Sequence, residues 1–143
     1  MRGMEMPKLD EKSRLTLPSR FRIELTNDVT VVCEQERCLS VYPREVLNRM
    51  MNPIYEAPST FRQVREYQRW SHSRAEDANP DKQGRITITP VQRLWAGLDK
   101  EVVVIGAGNR IEIWNPERWI KYAESLDEKF ADFDGEIVPR TPS

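Results

Sequence analysis

Leu9-Asp10-Glu11-Lys12-Ser13-Arg14-Leu15-Thr16-Leu17-Pro18 lies over Pro80-Asp81-Lys82-Gln83-Gly84-Arg85-Ile86-Thr87-Ile88-Thr89 at a constant offset of 71 residues. Downstream, Leu39-Ser40-Val41-Tyr42 lies over Ile111-Glu112-Ile113-Trp114 at an offset of 72, so one inserted residue separates the two blocks. Matched blocks in the same order mark an internal duplication. In the second copy Asp81-Lys82-Gln83-Gly84 reads as a turn, in which Asp bonds the backbone ahead of it and Gly supplies a positive φ. Arg85-Ile86-Thr87-Ile88 then alternates polar and apolar residues, the pattern of a half-buried strand. Thr89 before Pro90 is a helix N-cap with proline at the first helical position, and Gly97 closes a short helix over Val91 to Ala96. A strand from Glu101 to Ile105, a turn at Gly106-Ala107-Gly108-Asn109 and a strand from Arg110 to Trp114 complete the unit.

The first copy repeats this order. Its strand runs from Arg14 to Leu17, its short helix from about Ser19 to Leu25, and its hairpin joins Thr30–Cys33 to Cys38–Tyr42. Ser13 stands where the second copy has Gly84, which predicts a less demanding turn type there. A helix follows each unit. Pro116 opens one carrying Trp119, Tyr122, Ala123, Leu126 and Phe130 on a single apolar face, and Pro43 opens another that Pro53 is expected to end. Phe61, Val64, Tyr67 and Ser71 predict a bridging helix whose charged face carries Arg62, Arg65 and Arg69, read as a solvated face. The pattern predicts an α+β fold, mainly β with helices: two tandem units related by a pseudo-twofold axis and flanked by helices. The units are residues 4–51, with the following helix, and 77–114. A helical connector spans 52–76, a C-terminal helix 115–132, and an acidic, frayed tail 133–143.

Composition narrows the function. Charged residues make up 31% of the 143-residue chain and the formal net charge is −1, so the molecule is no generic nucleic-acid coat. The charge is segregated. From Met1 to Arg22 six basic residues stand against three acidic ones, and from Glu124 to Glu136 six acidic residues stand against one lysine. A local basic face of this kind binds phosphates on a mildly acidic protein. The N-terminus lacks the apolar run of a secretory signal and no stretch suits a membrane helix, so a cytoplasmic protein is expected. Cys33 and Cys38 are read as buried or half-buried thiols. With His72 the sole histidine, no ligand set suggests zinc.

Enzyme signals are weak. Val102-Val103-Val104-Ile105-Gly106-Ala107-Gly108 imitates the start of a dinucleotide fingerprint, but the residues after it alternate as a strand rather than opening a helix. His72 has no partner residues for a triad, and no carboxylate pair stands apart from the helices and tail. No enzyme, cofactor, metal or small-molecule ligand is expected. What remains is the pair of Asp-x-x-x-Arg turns. Lys12 and Arg14 in one copy, and Lys82 and Arg85 in the other, are read as presenting basic groups at the same point of each unit. Asp10 and Asp81 orient the loops. Two such turns about a pseudo-twofold axis suit double-stranded DNA, where arginine reads guanine edges and lysine neutralises phosphate. Lys8, Arg20 and Arg22 are candidate further contacts, and Arg93 could extend the same patch.

At these residues the chain resembles the MraZ family, whose members carry two copies of the AbrB-type swapped-hairpin motif. The resemblance rests on the two turn-and-strand stretches quoted above, on Leu39-Ser40-Val41-Tyr42-Pro43, on Ala96-Gly97-Leu98-Asp99-Lys100-Glu101-Val102 and on Asn109-Arg110-Ile111-Glu112-Ile113-Trp114. It runs from about Pro7 to Tyr122. The chain departs from the family pattern at Ser13, where glycine is usual, at Thr89, where proline is common, and in Met1 to Lys8, which lacks the usual Phe and His. The resemblance implies a cytoplasmic, nucleoid-associated regulator of the division and cell-wall gene cluster. Such a protein binds short G-rich repeats upstream of its own operon, usually as a repressor, and assembles into a homo-oligomeric ring. The alternative is an oligomeric protein-interaction module with an antitoxin-like or scaffold role.

Overall fold

In the computed structural model, which describes residues 1–139, the chain runs β1 (Met4–Glu5), β2 (Arg14–Thr16), α1 (Ser19–Arg22), β3 (Val29–Glu34), β4 (Cys38–Pro43), α2 (Arg44–Glu56), α3 (Arg62–Arg74), β5 (Glu76–Ala78), β6 (Arg85–Thr87), α4 (Pro90–Ala96), β7 (Val103–Gly106), β8 (Ile111–Trp114) and α5 (Pro116–Ala131). The class is α+β and mainly β, as the repeat pattern predicts. Among the described residues no helix is long and apolar enough to cross a membrane.

Six strands form one sheet in the order β1-β7-β8-β4-β3-β5, and β2 pairs with β6 in a separate ribbon. Exchanging each strand for its repeat counterpart turns the six-strand order into itself read backwards, which is the signature of a pseudo-twofold axis. The register agrees. Ser40 faces Glu112, its own counterpart at offset 72, at the centre of the β4–β8 pair. Leu15 faces Ile86, its counterpart at offset 71, at the centre of the β2–β6 pair. The edge strands obey the same operator and are exchanged between units: Glu5 of β1 pairs with Val104 of the second hairpin, while Glu76 of β5 pairs with Val31 of the first. These two short strands went unread in the sequence, because two or three residues are too few to show a period.

The ribbon packs onto one face of the sheet. Leu15, Leu17, Ile86 and Ile88 alternate inward and are at most 2% exposed, in one cluster with Phe21, Leu25, Val29, Val31, Leu39, Val41, Val104, Ile111 and Ile113. A two-stranded ribbon alone is marginal in water. Burial of its four inward aliphatics at about 1.5–3 kcal/mol each holds it in place. On the opposite face Trp114 stacks on Tyr122 at 5.1 Å and meets Trp119 at 5.4 Å, seating α5 against β8. Cys33 and Cys38 are both buried and free.

Local chemistry sets the helix ends. Thr89 and Gln92 form a reciprocal capping box, Pro90 opens α4, and Gly97 closes it in the left-handed conformation at φ 62. Asn115 caps α5 by accepting from Arg118 N. Four expectations need correction. Ser13 does not mark a milder turn: at φ 58 it takes the left-handed conformation that Gly84 takes at φ 74. The reason is that the Asp side chain, and not residue 13 itself, dictates the loop. Pro53 does not end α2, which continues to Glu56; proline removes one donor, and the helix goes on around it. Helix α1 is a single turn, Ser19–Arg22, rather than reaching Leu25. The strand expected from Glu101 is Val103–Gly106, with Glu101 left in an isolated bridge to Lys8. Of the expected tail, residues 133–139 are exposed beyond α5, and 140–143 lie outside the described residues.

Candidate nucleic-acid interface

The outward face of the β2–β6 ribbon is built by strand alternation. With Leu15, Leu17, Ile86 and Ile88 turned inward, Arg14, Thr16, Arg85 and Thr87 turn away from the core. Arg14 is paired with Thr87 and Arg85 with Thr16. The two arginines are therefore diagonal neighbours, roughly 7–8 Å apart between Cα atoms. Further hydrogen bonds, Leu17 N to Gly84 O at 2.8 Å and Ile88 N to Ser13 O at 2.9 Å, carry the pairing to the mouths of both turns. The ribbon thus presents one turn at each end, both on a single surface.

The two turns are copies of one another at the level of hydrogen bonds. In the first, Asp10 Oδ1 accepts from Lys12 N and Arg14 N at 2.9 Å each, and Oδ2 accepts from Arg14 Nε at 2.7 Å. In the second, Asp81 Oδ1 accepts from Gln83 N and Arg85 N at 2.9 Å each, and Oδ2 from Arg85 Nε at 2.7 Å. Backbone bonds close each loop: Ser13 N to Asp10 O at 2.9 Å, and Gly84 N to Asp81 O at 2.8 Å. The backbone N–H of Arg14 is the largest influence drawing the Asp10 carboxyl below its ordinary pKa, and the backbone N–H of Arg85 does the same for Asp81.

This geometry divides each arginine in two. Nε is held by the aspartate, which fixes the plane and direction of the guanidinium. The Nη groups of Arg14 and Arg85 make no hydrogen bond among the described residues, and both side chains are partly exposed. Arginine's planar fork is the side chain suited to bidentate recognition of a paired acceptor. The lysines are less regular than the sequence reading had them. Lys12 is the third residue of its turn and Lys82 the second, and the position equivalent to Lys12 is Gln83. Both are exposed, but they are staggered rather than superposed.

The other candidate residues fall outside this face. Lys8 is exposed beside its bridge to Glu101. Arg20 pairs with Glu5 at 2.9 Å. Arg22 turns inward, its Nε donating to Leu17 O at 2.8 Å and its Nη2 to Gln83 O at 2.9 Å. Arg93 donates to Ile88 O at 3.4 Å. Thr16 and Thr87 share the exposed face and were missed as candidates, although the alternation of 14 with 16 and of 85 with 87 is legible in the sequence.

Comparison with known proteins matches the duplication and the whole span. The family model described as "MraZ protein, putative antitoxin-like" matches residues 1–69 and 72–138. Relatives named "Transcriptional regulator MraZ" include one from Saccharopolyspora erythraea, 46% identical over 137 residues covering 96% of both chains. Another, from Cutibacterium acnes, is 45% identical over 130 residues, which is 91% of this chain and 92% of the relative. A third, from Kineococcus radiotolerans, is 42% identical over 137 residues, again 96% of both. With two swapped-hairpin repeats, two matching Asp-x-x-x-Arg turns and relatives aligned from end to end, this chain belongs to the MraZ family.

Proposed function

We propose that the chain is a DNA-binding transcriptional regulator that reads duplex DNA with the outward face of the β2–β6 ribbon. The observation that carries this reading is the diagonal pair Arg14 and Arg85, each aimed by its own aspartate and each with two Nη donors to spare. A two-stranded ribbon fits the B-DNA major groove, which is about 12 Å wide. Guanine there offers O6 and N7, the acceptor pair that an arginine fork matches. Lys12 and Lys82, at the two ends of the ribbon, contact phosphates on either side, and Asp10 and Asp81 hold the loops. The reading extends, in line with the family resemblance, to repression of the division and cell-wall operon through G-rich repeats, in the cytoplasm at the nucleoid.

The four basic side chains of the two turns face three acidic ones, Asp10, Glu11 and Asp81, so one protomer brings little net charge to a phosphate backbone. Useful affinity therefore comes from a homo-oligomer that engages several operator repeats at once. Ile23 and Leu94, 82% and 84% exposed, are counterparts at offset 71, a repeated apolar contact suited to a second copy of the chain in a ring.

The test is binding to the DNA upstream of the chain's own gene, measured across a salt series. Arg14→Ala and Arg85→Ala are each expected to weaken binding by about 1–3 kcal/mol with little change in Tm. Lys12→Ala and Lys82→Ala each lower the salt slope by about 1. Wild-type affinity in either arginine variant, or a flat salt response, would sink the reading.

A further inference from the structure

The two turns match in their own hydrogen bonds but not in what holds them from outside. Arg22, on the short helix of the first repeat, reaches under the turn of the second. Its Nε donates to Leu17 O on β2 and its Nη2 to Gln83 O inside the turn, so one side chain ties the end of the ribbon to the loop that carries Lys82 and Arg85. The equivalent residue in the second repeat is Arg93, and its one bond repeats only half of this: Nη1 to Ile88 O, the counterpart of Leu17 O. Among the described residues no bond from Arg93 reaches Lys12 O, the counterpart of Gln83 O.

The cause lies at the last residue of each turn. A Cβ placed on Gly84 would sit 2.6 Å from Arg22 Nε and 2.9 Å from its Cζ, so the guanidinium occupies the space that glycine leaves open. The first turn has Ser13 there, in the same left-handed conformation, with a side chain where the second turn has none. Both turns take a positive φ at this position, but only the second combines it with a glycine against which a guanidinium lies.

We propose that Arg22 is a positioning residue for the second DNA-reading turn: it acts through Gln83 O to hold Arg85 and Lys82 in register with the ribbon, and it makes no DNA contact itself. The second turn is thereby the pre-set half of the interface, and the first is the adaptable half. This rests on the reading of the ribbon as the DNA-contacting face.

The experiment measures affinity for a duplex of the chain's own upstream DNA, in Arg22→Lys and Arg22→Gln, across a salt series. Lysine keeps the charge but lacks the planar fork that spans two carbonyl oxygens. Loss of two hydrogen bonds that pre-order the loop is expected to weaken binding roughly tenfold in both variants, with the wild-type salt slope retained. The loss should shrink in an Arg85→Ala background, disappear when Lys82→Ala is added to it, and persist in full in an Arg14→Ala background, since only groups in one network couple. Without DNA, amide exchange should rise at Gln83–Arg85 in Arg22→Gln and stay unchanged at Lys12–Arg14, a readout that general destabilisation would not confine to one turn. The proposal is overturned if Arg22→Lys binds as wild type while Arg22→Gln is weak with a salt slope lowered by about 1, which would make Arg22 a phosphate contact. It is also overturned if neither variant loses affinity. If Arg85→Ala itself binds as wild type, the ribbon reading fails first, and amide exchange alone then reports whether the brace exists.

Discussion

Gly84→Ala is the substitution on which the structure makes the sharpest statement. Gly84 sits at φ 74, where a residue with a Cβ pays about 1–2 kcal/mol, partly offset by about 0.5–1 kcal/mol because alanine loses less backbone entropy on folding. The added Cβ also meets the Arg22 guanidinium at 2.6 Å. That side chain can swing aside at small steric cost, but in doing so it gives up its bonds to Leu17 O and Gln83 O, at about 1 kcal/mol each. The total is about 2–3.5 kcal/mol. At roughly 2–4 °C per kcal/mol for a chain near this size, Tm should fall by about 4–14 °C. Thermal melts at one fixed protein concentration, with urea titrations alongside, measure it. The decisive comparison is Gly84→Ala in an Arg22→Ala background, where the bonds are already gone and the cost should drop to about 1.5 kcal/mol or less. Ser13→Gly supplies the converse and should be neutral to about 0.5 kcal/mol stabilising, because it relieves a left-handed serine. An equal penalty for Gly84→Ala with and without Arg22 would refute the linkage between glycine and brace.

Other expectations bear on separate parts of the molecule. Gln92 is fully buried, donates to Val31 O at 3.1 Å and Arg74 O at 3.0 Å, and accepts from Thr89 N at 3.1 Å; Gln92→Leu keeps the volume but strands these groups, and should cost about 2–4 kcal/mol in urea denaturation. A loss below about 1 kcal/mol would show that water reaches them. The Asp10 and Asp81 carboxyls have folded pKa values below the ordinary range, so the order they give the turns is present above about pH 4 and is lost as pH falls through the lowered values. An NMR titration of the Arg14 and Arg85 amides should show midpoints below that of a free aspartate, and ordinary midpoints would mean that the carboxylate bonds are not kept in solution. Ile23→Asp combined with Leu94→Asp should lower the oligomer mass in light scattering while leaving the circular dichroism spectrum unchanged; an unchanged mass would exclude this pair from the subunit contact.

How much was legible in advance varied with the range of the interactions. Duplication, turn chemistry, strand alternation and caps are short-range, so Asp81-Lys82-Gln83-Gly84, Thr89-Pro90 and Asn115-Pro116 could be read directly, and the family resemblance rested on the same residues. Ser13 was misread because the rule that glycine favours a positive φ says nothing about an aspartate three residues earlier that holds the loop shut. Arg22 stood among candidate DNA contacts because charge and exposure look alike in a sequence, whether a guanidinium meets solvent or a carbonyl 61 residues further on.

The paired Asp-x-x-x-Arg segments carry their own geometry. Each aspartate bonds N–H groups two and four residues ahead, so the internal hydrogen bonds of the loop are settled locally, in both repeats alike. Only the tertiary structure decides that the two loops share one surface. The β2–β6 pairing joins residues about 70 apart, and the exchange of β1 and β5 between the hairpins locks that pairing in register. It also decides that the loops are unequal, because the space beside Gly84 becomes a seat for Arg22 only when the first repeat's helix is packed against the second repeat's turn.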